Sequence, residues 1–125
     1  MTELDQWIQK AEGDYRTSLR QMEFGDADGY DAVCFHAQQC VEKYLKAFLV
    51  AHNVEFKPRH DLIYLLSLVL TVESTFEFIR SELDFLNDHA VDIRYPGDFA
   101  VKEEAEDAIR RMKVVRQEVR EKLEL

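Results

Sequence analysis

Hydrophobic residues recur at intervals of three and four along most of this chain, the spacing that places them on one face of an α-helix. Breaks at glycine, proline and polar residues divide the pattern into five predicted helices. The first four run from about Glu3 to Phe24, Tyr30 to His52, His60 to Leu70 and Ser74 to Ile93. The fifth begins after Asp98 and continues to near the C-terminus. Because short connections join them, we predict an all-α fold, an up-and-down four-helix bundle with an extra short helix, in a single domain covering residues 1–125.

Turn and capping residues indicate where these helices begin and end. Glycines and aspartates between Gly25 and Gly29 separate the first two helices. Ser74 with Glu77 three residues later is typical of a capping box, which predicts the start of the fourth helix. We expect that helix to end at Arg94 to Gly97, and we expect Asp98 to cap the last one.

Composition narrows the class of protein. The chain has a formal net charge of -9, which opposes non-specific binding to DNA because such binding depends on clustered Lys and Arg. No apolar run approaches the length of a membrane span, and residues 1–10 lack the pattern of a signal peptide. Cys34 and Cys40 would lie about 9 Å apart along one helix, too far for a disulfide. We therefore expect reduced thiols, a cytoplasmic location and no membrane contact.

The second predicted helix carries a polar face with one aromatic residue in its middle. That aromatic residue is Phe35, which suggests an additional contact, either with another helix of the bundle or with a partner subunit. Glu42 and Lys46 form a favourable i,i+4 pair, interpreted either as a solvated salt bridge or as a ligand contact. The remaining members of the polar face are Asp31, Gln38, Gln39 and Lys43.

Three further groups of side chains have chemical potential. His36 and Cys40 could supply two metal ligands, but a site needs three or four, so we predict no metal and no cofactor, and the alternative is a buried thiol beside a hydrogen-bonded histidine. His60 with Asp61 is either a helix cap or an acid-base pair. The third group is either a modest anion site or scattered solubilising charge, and it consists of Lys43, Lys46, Lys57 and Arg59.

The run from His36 to Leu49 resembles the signature helix of HEPN domains, the "higher eukaryotes and prokaryotes nucleotide-binding" family. Its most specific part is the pattern Gln-Gln-x-x-Glu-Lys-x-x-Lys, which begins at Gln38. Other pieces of the family pattern follow in the expected order along nearly the whole chain. They are Trp7, Ala11 and Asp14, then Gly29 to Ala32, then His60-Asp61-Leu62 with Leu65-Leu66, and finally Arg94-Tyr95-Pro96.

The resemblance implies a compact helix bundle, commonly a homodimer, that often partners a minimal nucleotidyltransferase in toxin-antitoxin systems. It also implies a nucleotide or RNA ligand, and Phe35 becomes a candidate interface residue. The candidate ligand-binding residues under this interpretation are Gln39, Glu42, Lys43, Lys46, His60, Asp61, Arg94 and Tyr95.

Some branches of the family are metal-independent ribonucleases, which carry an arginine followed four to six residues later by a histidine. Neither Arg80 nor Arg94 has a histidine at that distance. The absence favours two non-enzymatic interpretations over a ribonuclease, and the leading one is a nucleotide-binding or RNA-binding interaction protein. The alternatives are a ribonuclease toxin, with Arg94 on the phosphate and His60 or His89 moving a proton, and a purely structural dimeric module. The catalytic residues are unknown from sequence.

Overall fold

The computed structural model describes residues 1–88 and 97–125, without the side chains of residues 27 and 28. These residues form five α-helices and one 3₁₀ helix, with no β-strand among them. The α-helices are α1 (Glu3–Phe24), α2 (Ala27–Ala51), α3 (Leu62–Val69), α4 (Arg80–Asp88) and α5 (Lys102–Lys122), and the 3₁₀ helix is Ser74–Ile79. The predicted all-α helix bundle with an extra short helix is confirmed. None of the helices described is long and apolar enough to cross a membrane.

The first two helices form a hairpin whose turn is built from Gly25 and Asp26. Gly25 ends α1 in the left-handed conformation, at a φ of 65°, which strains glycine little because it has no Cβ. Asp26 caps α2, because its Oδ1 accepts a 2.6 Å hydrogen bond from the Gly29 N–H. The first turn of α2 therefore begins at Ala27, three residues before the predicted start at Tyr30.

One hydrophobic core joins the helices, and α2 lies at its centre. This helix packs against α1, α3, α4 and α5. Its buried apolar positions recur every three or four residues, as predicted, at Val33, Ala37, Val41, Tyr44 and Phe48. Full burial of a side chain such as Phe48 contributes about 1.5–3 kcal/mol. The Ser18 hydroxyl, buried between α1 and α2, donates a 3.0 Å hydrogen bond to the Val33 carbonyl, so its polar group is satisfied.

The segment before α4 differs from its prediction. Ser74–Ile79 is a 3₁₀ helix, and α-helical geometry begins only at Arg80. The predicted capping box is wrong, because Glu73 precedes the 3₁₀ helix without a side-chain cap. Glu77 does not reach back toward that end, since its carboxylate accepts a 2.6 Å hydrogen bond from Arg80 Nε. The predicted end of the helix at Arg94 to Gly97 begins outside the described residues.

The start of α5 also differs from its prediction. Asp98 is not the cap, because the residue that precedes the first helical turn is Val101. The Ala100 N–H donates a 2.6 Å hydrogen bond to Asp31 Oδ1 on α2, which holds this stretch against α2 before the helix begins. Val101 then donates its N–H to Glu104 Oε1 at 3.3 Å. The approach to α5 is therefore fixed by a contact between distant segments.

Candidate functional site

A row of polar side chains on α2, spaced one turn apart, lies inside the molecule. Gln38 and Glu42 are each 2% exposed, and Lys46 is 6% exposed. The rings of Trp7 from α1 and Phe56 from the loop before α3 cover Lys46, with centroids 5.5 and 5.7 Å from its ammonium nitrogen. The interpretation of Glu42 and Lys46 as a solvated salt bridge is therefore wrong. We call Gln38, Glu42 and Lys46 the buried polar row.

The carboxylate of Glu42 is the centre of the buried polar row. Lys46 Nζ donates a 3.0 Å hydrogen bond to Glu42 Oε2, and Gln38 Nε2 lies 3.5 Å from Oε1. Removal of a charged group from water costs several kcal/mol, which the attraction between two buried ions only partly offsets. Well-packed apolar side chains of similar volume usually stabilise such a position at least as well. The row therefore lowers the stability of the fold relative to apolar side chains at the same positions, so packing alone does not account for it.

His60 closes the solvent side of the buried polar row. Its Nδ1 lies 3.1 and 3.2 Å from the two carboxylate oxygens of Glu42, whereas its side chain is 68% exposed. No residue within 1–88 or 97–125 forms a hydrogen bond with His60 Nε2. A buried carboxylate that accepts from Nδ1 fixes the orientation of an imidazole and leaves Nε2 available to a ligand. The structure thus brings together three of the candidate residues, Glu42, Lys46 and His60.

Asp61 is the N-cap of α3, which confirms one of the two interpretations of the His60-Asp61 pair. Its Oδ1 accepts hydrogen bonds from the N–H groups of Ile63 and Tyr64 and from the side-chain amide of Asn87. Partial burial acts to raise the pKa of Asp61, but the hydrogen bonds from Tyr64, Asn87 and Ile63 outweigh it and hold that pKa below its usual value. Because these donors occupy Oδ1, Asp61 positions the loop that carries His60.

A second polar cluster lies between α1 and α2. Asp14 accepts from Lys43 Nζ with one oxygen, and its other oxygen lies 2.8 Å from His36 Nδ1. Gln39 Nε2 donates a 2.7 Å hydrogen bond to Gln38 Oε1, which connects Gln39 to the buried polar row. The candidate residues Gln39 and Lys43 therefore belong to hydrogen-bonded networks on the same helix as Glu42.

His36 and Cys40, the two residues weighed as possible metal ligands, lie in different surroundings. His36 Nδ1 is engaged by Asp14, and Cys40 is fully buried. Burial raises the pKa of the Cys40 thiol far above its usual value, with smaller contributions from the negative charges of Glu12 and Asp14. Within the described part of the chain, no group of three or more potential ligands could hold a metal ion.

The predicted group of basic side chains does not supply a set of unpaired cations. Lys43 pairs with Asp14, Lys46 pairs with Glu42, and Arg59 Nη2 lies 3.4 Å from Asp61 Oδ2. Lys57 is exposed, and its side chain forms no ion pair with the described residues.

Phe35 is the candidate interface residue. Phe35 is half-buried, with its ring edge-on to His36 at a centroid distance of 5.1 Å. Its role at an interface stays a prediction. Arg94 and Tyr95, together with His89, lie outside the described residues.

Sequence reasoning missed the pairing of α1 with α5. Arg116 Nε and Nη2 donate to the two carboxylate oxygens of Glu12 at 2.7 and 2.8 Å, and the Tyr44 hydroxyl donates to Glu12 as well. Glu12 and Arg116 are 104 positions apart, so no periodicity within one helix indicates their contact. The cations of α5 are visible in the sequence, but their position toward the end of the helix indicates only a favourable interaction with the helix dipole.

A family model described as the HEPN domain matches residues 4–122 of this chain. The structure is similar to the crystal structure of TT1696 from Thermus thermophilus, with a TM-score of 0.82 and 24% identity over 98% of this chain and 99% of that one. It is also similar to ST0689, an archaeal HEPN homologue, with a TM-score of 0.76 and 23% identity over 98% of each chain. No curated protein matches the sequence.

Proposed function

We propose, since this chain belongs to the HEPN domain family, that it is a cytoplasmic binding and interaction protein for nucleotide or RNA. It partners a minimal nucleotidyltransferase in a toxin-antitoxin-like system. The observation that carries the proposal is the buried polar row of α2, which ends at the exposed imidazole of His60. Such a row costs stability, so its presence beside an exposed imidazole supports a ligand-binding role.

The chemistry around His60 suits a phosphorylated ligand with a polar base. The imidazole offers a donor or an acceptor at Nε2, and Gln39 adds an amide that both donates and accepts. Lys43, in the second polar cluster of the same helix, supplies a positive charge, although Asp14 accepts one of its hydrogen bonds. With a formal net charge of -9 on the whole chain, we expect modest affinity that falls as salt concentration rises.

A matched pair of histidine variants tests this site. His60→Asn removes the imidazole beside Glu42, whereas His52→Asn removes an exposed imidazole at the end of α2. Fluorescence anisotropy with a labelled short RNA, and with a labelled adenine nucleotide, should show binding that His60→Asn weakens and His52→Asn leaves unchanged. Equal affinity in the two variants, or no binding by the wild-type protein at micromolar concentration, would contradict the proposed site.

The partner is tested separately from the ligand. If a nucleotidyltransferase is encoded beside this chain, co-expression of the two proteins should give a complex that survives size-exclusion chromatography. Separate elution of the two proteins at micromolar concentration would argue against a stable partnership. That result would leave the ligand-binding proposal intact.

Ribonuclease activity is the second candidate function, and the contact between Glu42 and His60 favours it. A general base must be oriented toward the proton that it removes, and Glu42 fixes Nδ1 so that Nε2 remains available. RNA integrity on denaturing gels decides the matter. Cleavage that is lost in His60→Asn and reduced in Glu42→Gln would establish the ribonuclease. Binding without cleavage supports the binding protein, and neither binding nor cleavage leaves a structural module.

A further inference from the structure

A groove lies between α1 and α5, and it is lined by residues other than those that contact His60. Glu12 and Asp14 are two positions apart, which places them about 200° apart around the helix axis. Asp14 accepts hydrogen bonds from α2, whereas Glu12 pairs with Arg116 of α5 and also accepts from Tyr44 of α2. Beside this second pair is a cavity of about 370 Å³. The polar and aromatic residues that line it are Tyr15, Lys113, Arg116, Gln117, Arg120 and Glu121.

Two guanidinium groups are held in place at this groove. Arg116 donates to both oxygens of Glu12 and lies 4.2 Å from the centroid of the Tyr15 ring. Arg120 Nη1 donates a 3.2 Å hydrogen bond to the Tyr44 hydroxyl, which in turn donates to Glu12. Groups that are already ordered lose little conformational entropy when a ligand binds. The groove is therefore organised before any ligand arrives.

The groove, which Leu125 also lines, has one more positive than negative side-chain charge. Its cations are Lys113, Arg116 and Arg120, and the nearby carboxylates are Glu12 and Glu121. Glu12 is engaged by Arg116, and Glu121 accepts a 3.1 Å hydrogen bond from the Gln117 amide.

In the part of the chain that the structure describes, no carboxylate forms a salt bridge with Lys113 or Arg120. These two residues are seven positions apart, hence on the same face of α5 and about 10 Å apart along its axis. Both side chains can therefore direct donors toward the same ligand in the groove.

We infer that the groove between α1 and α5 is a second anion site, which takes the phosphoryl oxygens of a nucleotide or polyphosphate chain. Guanidinium groups match the geometry of phosphate oxygens, and an ammonium group adds a point charge. The separation between Lys113 and Arg120 suits several linked phosphates better than a single small anion. The backbone of RNA presents the same phosphoryl oxygens, and a comparison of ligands distinguishes the two sources.

An NMR titration of the full chain with sodium tripolyphosphate at low salt tests the site. Backbone amide shifts should concentrate in residues 113–121 of α5 and 12–16 of α1. Lys113→Ala should weaken binding about fivefold to tenfold, because one charge-assisted contact is lost. The matched control is Arg110→Ala, which removes an exposed cation of the same helix that pairs with Asp107 outside the groove.

Further ligands identify the source of the phosphate. ATP and tripolyphosphate that shift the groove amides alike, with no shifts there from an RNA oligomer that lacks terminal phosphates, assign the groove to a phosphate chain. Binding of the RNA oligomer with the same dependence on Lys113 assigns it to the RNA backbone. No shifts at millimolar tripolyphosphate, or equal weakening by Lys113→Ala and Arg110→Ala, would overturn the inference. His60→Asn should leave this binding unchanged, so the result is independent of the proposed function.

Discussion

At the scale of single residues, the most informative feature is a charge in a place where packing alone favours an apolar side chain. Lys46 lies beneath Trp7 and Phe56, and its ammonium is neutralised by Glu42. Each partner needs the other, because either one alone would be an uncompensated buried charge. The stability of α2 therefore depends on this pair more strongly than it would on an exposed salt bridge.

Removal of one partner should be far more harmful than replacement of both. Glu42→Ala is expected to lower the free energy of unfolding by about 3–5 kcal/mol, since Lys46 remains buried. The double variant Glu42→Leu/Lys46→Met should be close to wild type or more stable. Urea denaturation followed by circular dichroism measures both. Glu77→Ala, which breaks an exposed pair with Arg80, is the control and should change stability little. Equal losses in Glu42→Ala and Glu77→Ala would show that the buried pair is not special.

Glu12 should make stability depend on pH in the acid range. The hydrogen bonds from Arg116, helped by Tyr44, lower the pKa of Glu12 in spite of partial burial. A depressed pKa in the folded state adds stability above the unfolded value of about 4.3, and that stability is lost as pH falls through the folded pKa. Glu12→Gln should therefore be destabilised relative to wild type at pH 7, and the gap should narrow near pH 3.

The control for this pH dependence is Glu106→Gln, which changes an exposed carboxylate of α5 by the same atoms. Urea unfolding at several pH values should give a nearly constant difference between this control and wild type. A gap between Glu12→Gln and wild type that stays constant from pH 7 to pH 3 would show that the carboxylate of Glu12 does not supply the linkage.

At the scale of elements, hydrophobic spacing correctly predicted which residues are buried. It was less successful in predicting the type of helix to which those residues belong. Phe76, Ile79, Leu83 and Leu86 are all buried, as their spacing indicates. Phe76 and Ile79 nevertheless belong to a 3₁₀ helix, in which residues three apart also share one face. An interval of three is thus compatible with both geometries, so the pattern could not separate them.

The candidate site was less predictable, because its parts meet only after folding. Gln38, Glu42 and Lys46 form a polar row in sequence, which by itself indicates solvent exposure. Their burial follows from Trp7 and Phe56, which come from other elements. His60, which contacts the Glu42 carboxylate, is by contrast among the candidate residues, although nothing in the hydrophobic spacing links the two. Tertiary contacts of this kind leave no local periodicity.

Asp61 should be important for the start of α3, because its side chain caps the first turn of this eight-residue helix. Asp61→Ala removes the acceptor for two N–H groups and is expected to destabilise the protein by about 0.5–2 kcal/mol. Asp61→Asn is the matched control, because asparagine also caps helices and should lose less. Thermal unfolding measures the difference, and hydrogen exchange at the amides of Ile63 and Tyr64 should accelerate in Asp61→Ala. Equal melting temperatures in the two variants would refute the capping role.

At the scale of the whole molecule, we expect a symmetric dimer with Phe35 at its interface. The chain has a mass of 14.7 kDa, so light scattering at micromolar concentration should give twice that value. Phe35→Asp should shift the mass toward the monomer, because a charge at an apolar contact weakens association. Phe24→Asp, which changes a phenylalanine that is 70% exposed at the end of α1, is the control. A monomeric wild-type protein would disprove the dimer.

The position of Trp7 makes the burial of Lys46 visible to optical spectroscopy. Trp7 is the chain's single tryptophan, and its indole lies against both the ammonium of Lys46 and the ring of Phe56. Its emission therefore originates at the junction of α1, α2 and the loop that leads to His60. If that junction opens before the rest of the bundle, emission will change at a lower urea concentration than helical circular dichroism does. The chain thus contains its own fluorescent label at the Lys46 end of the buried polar row.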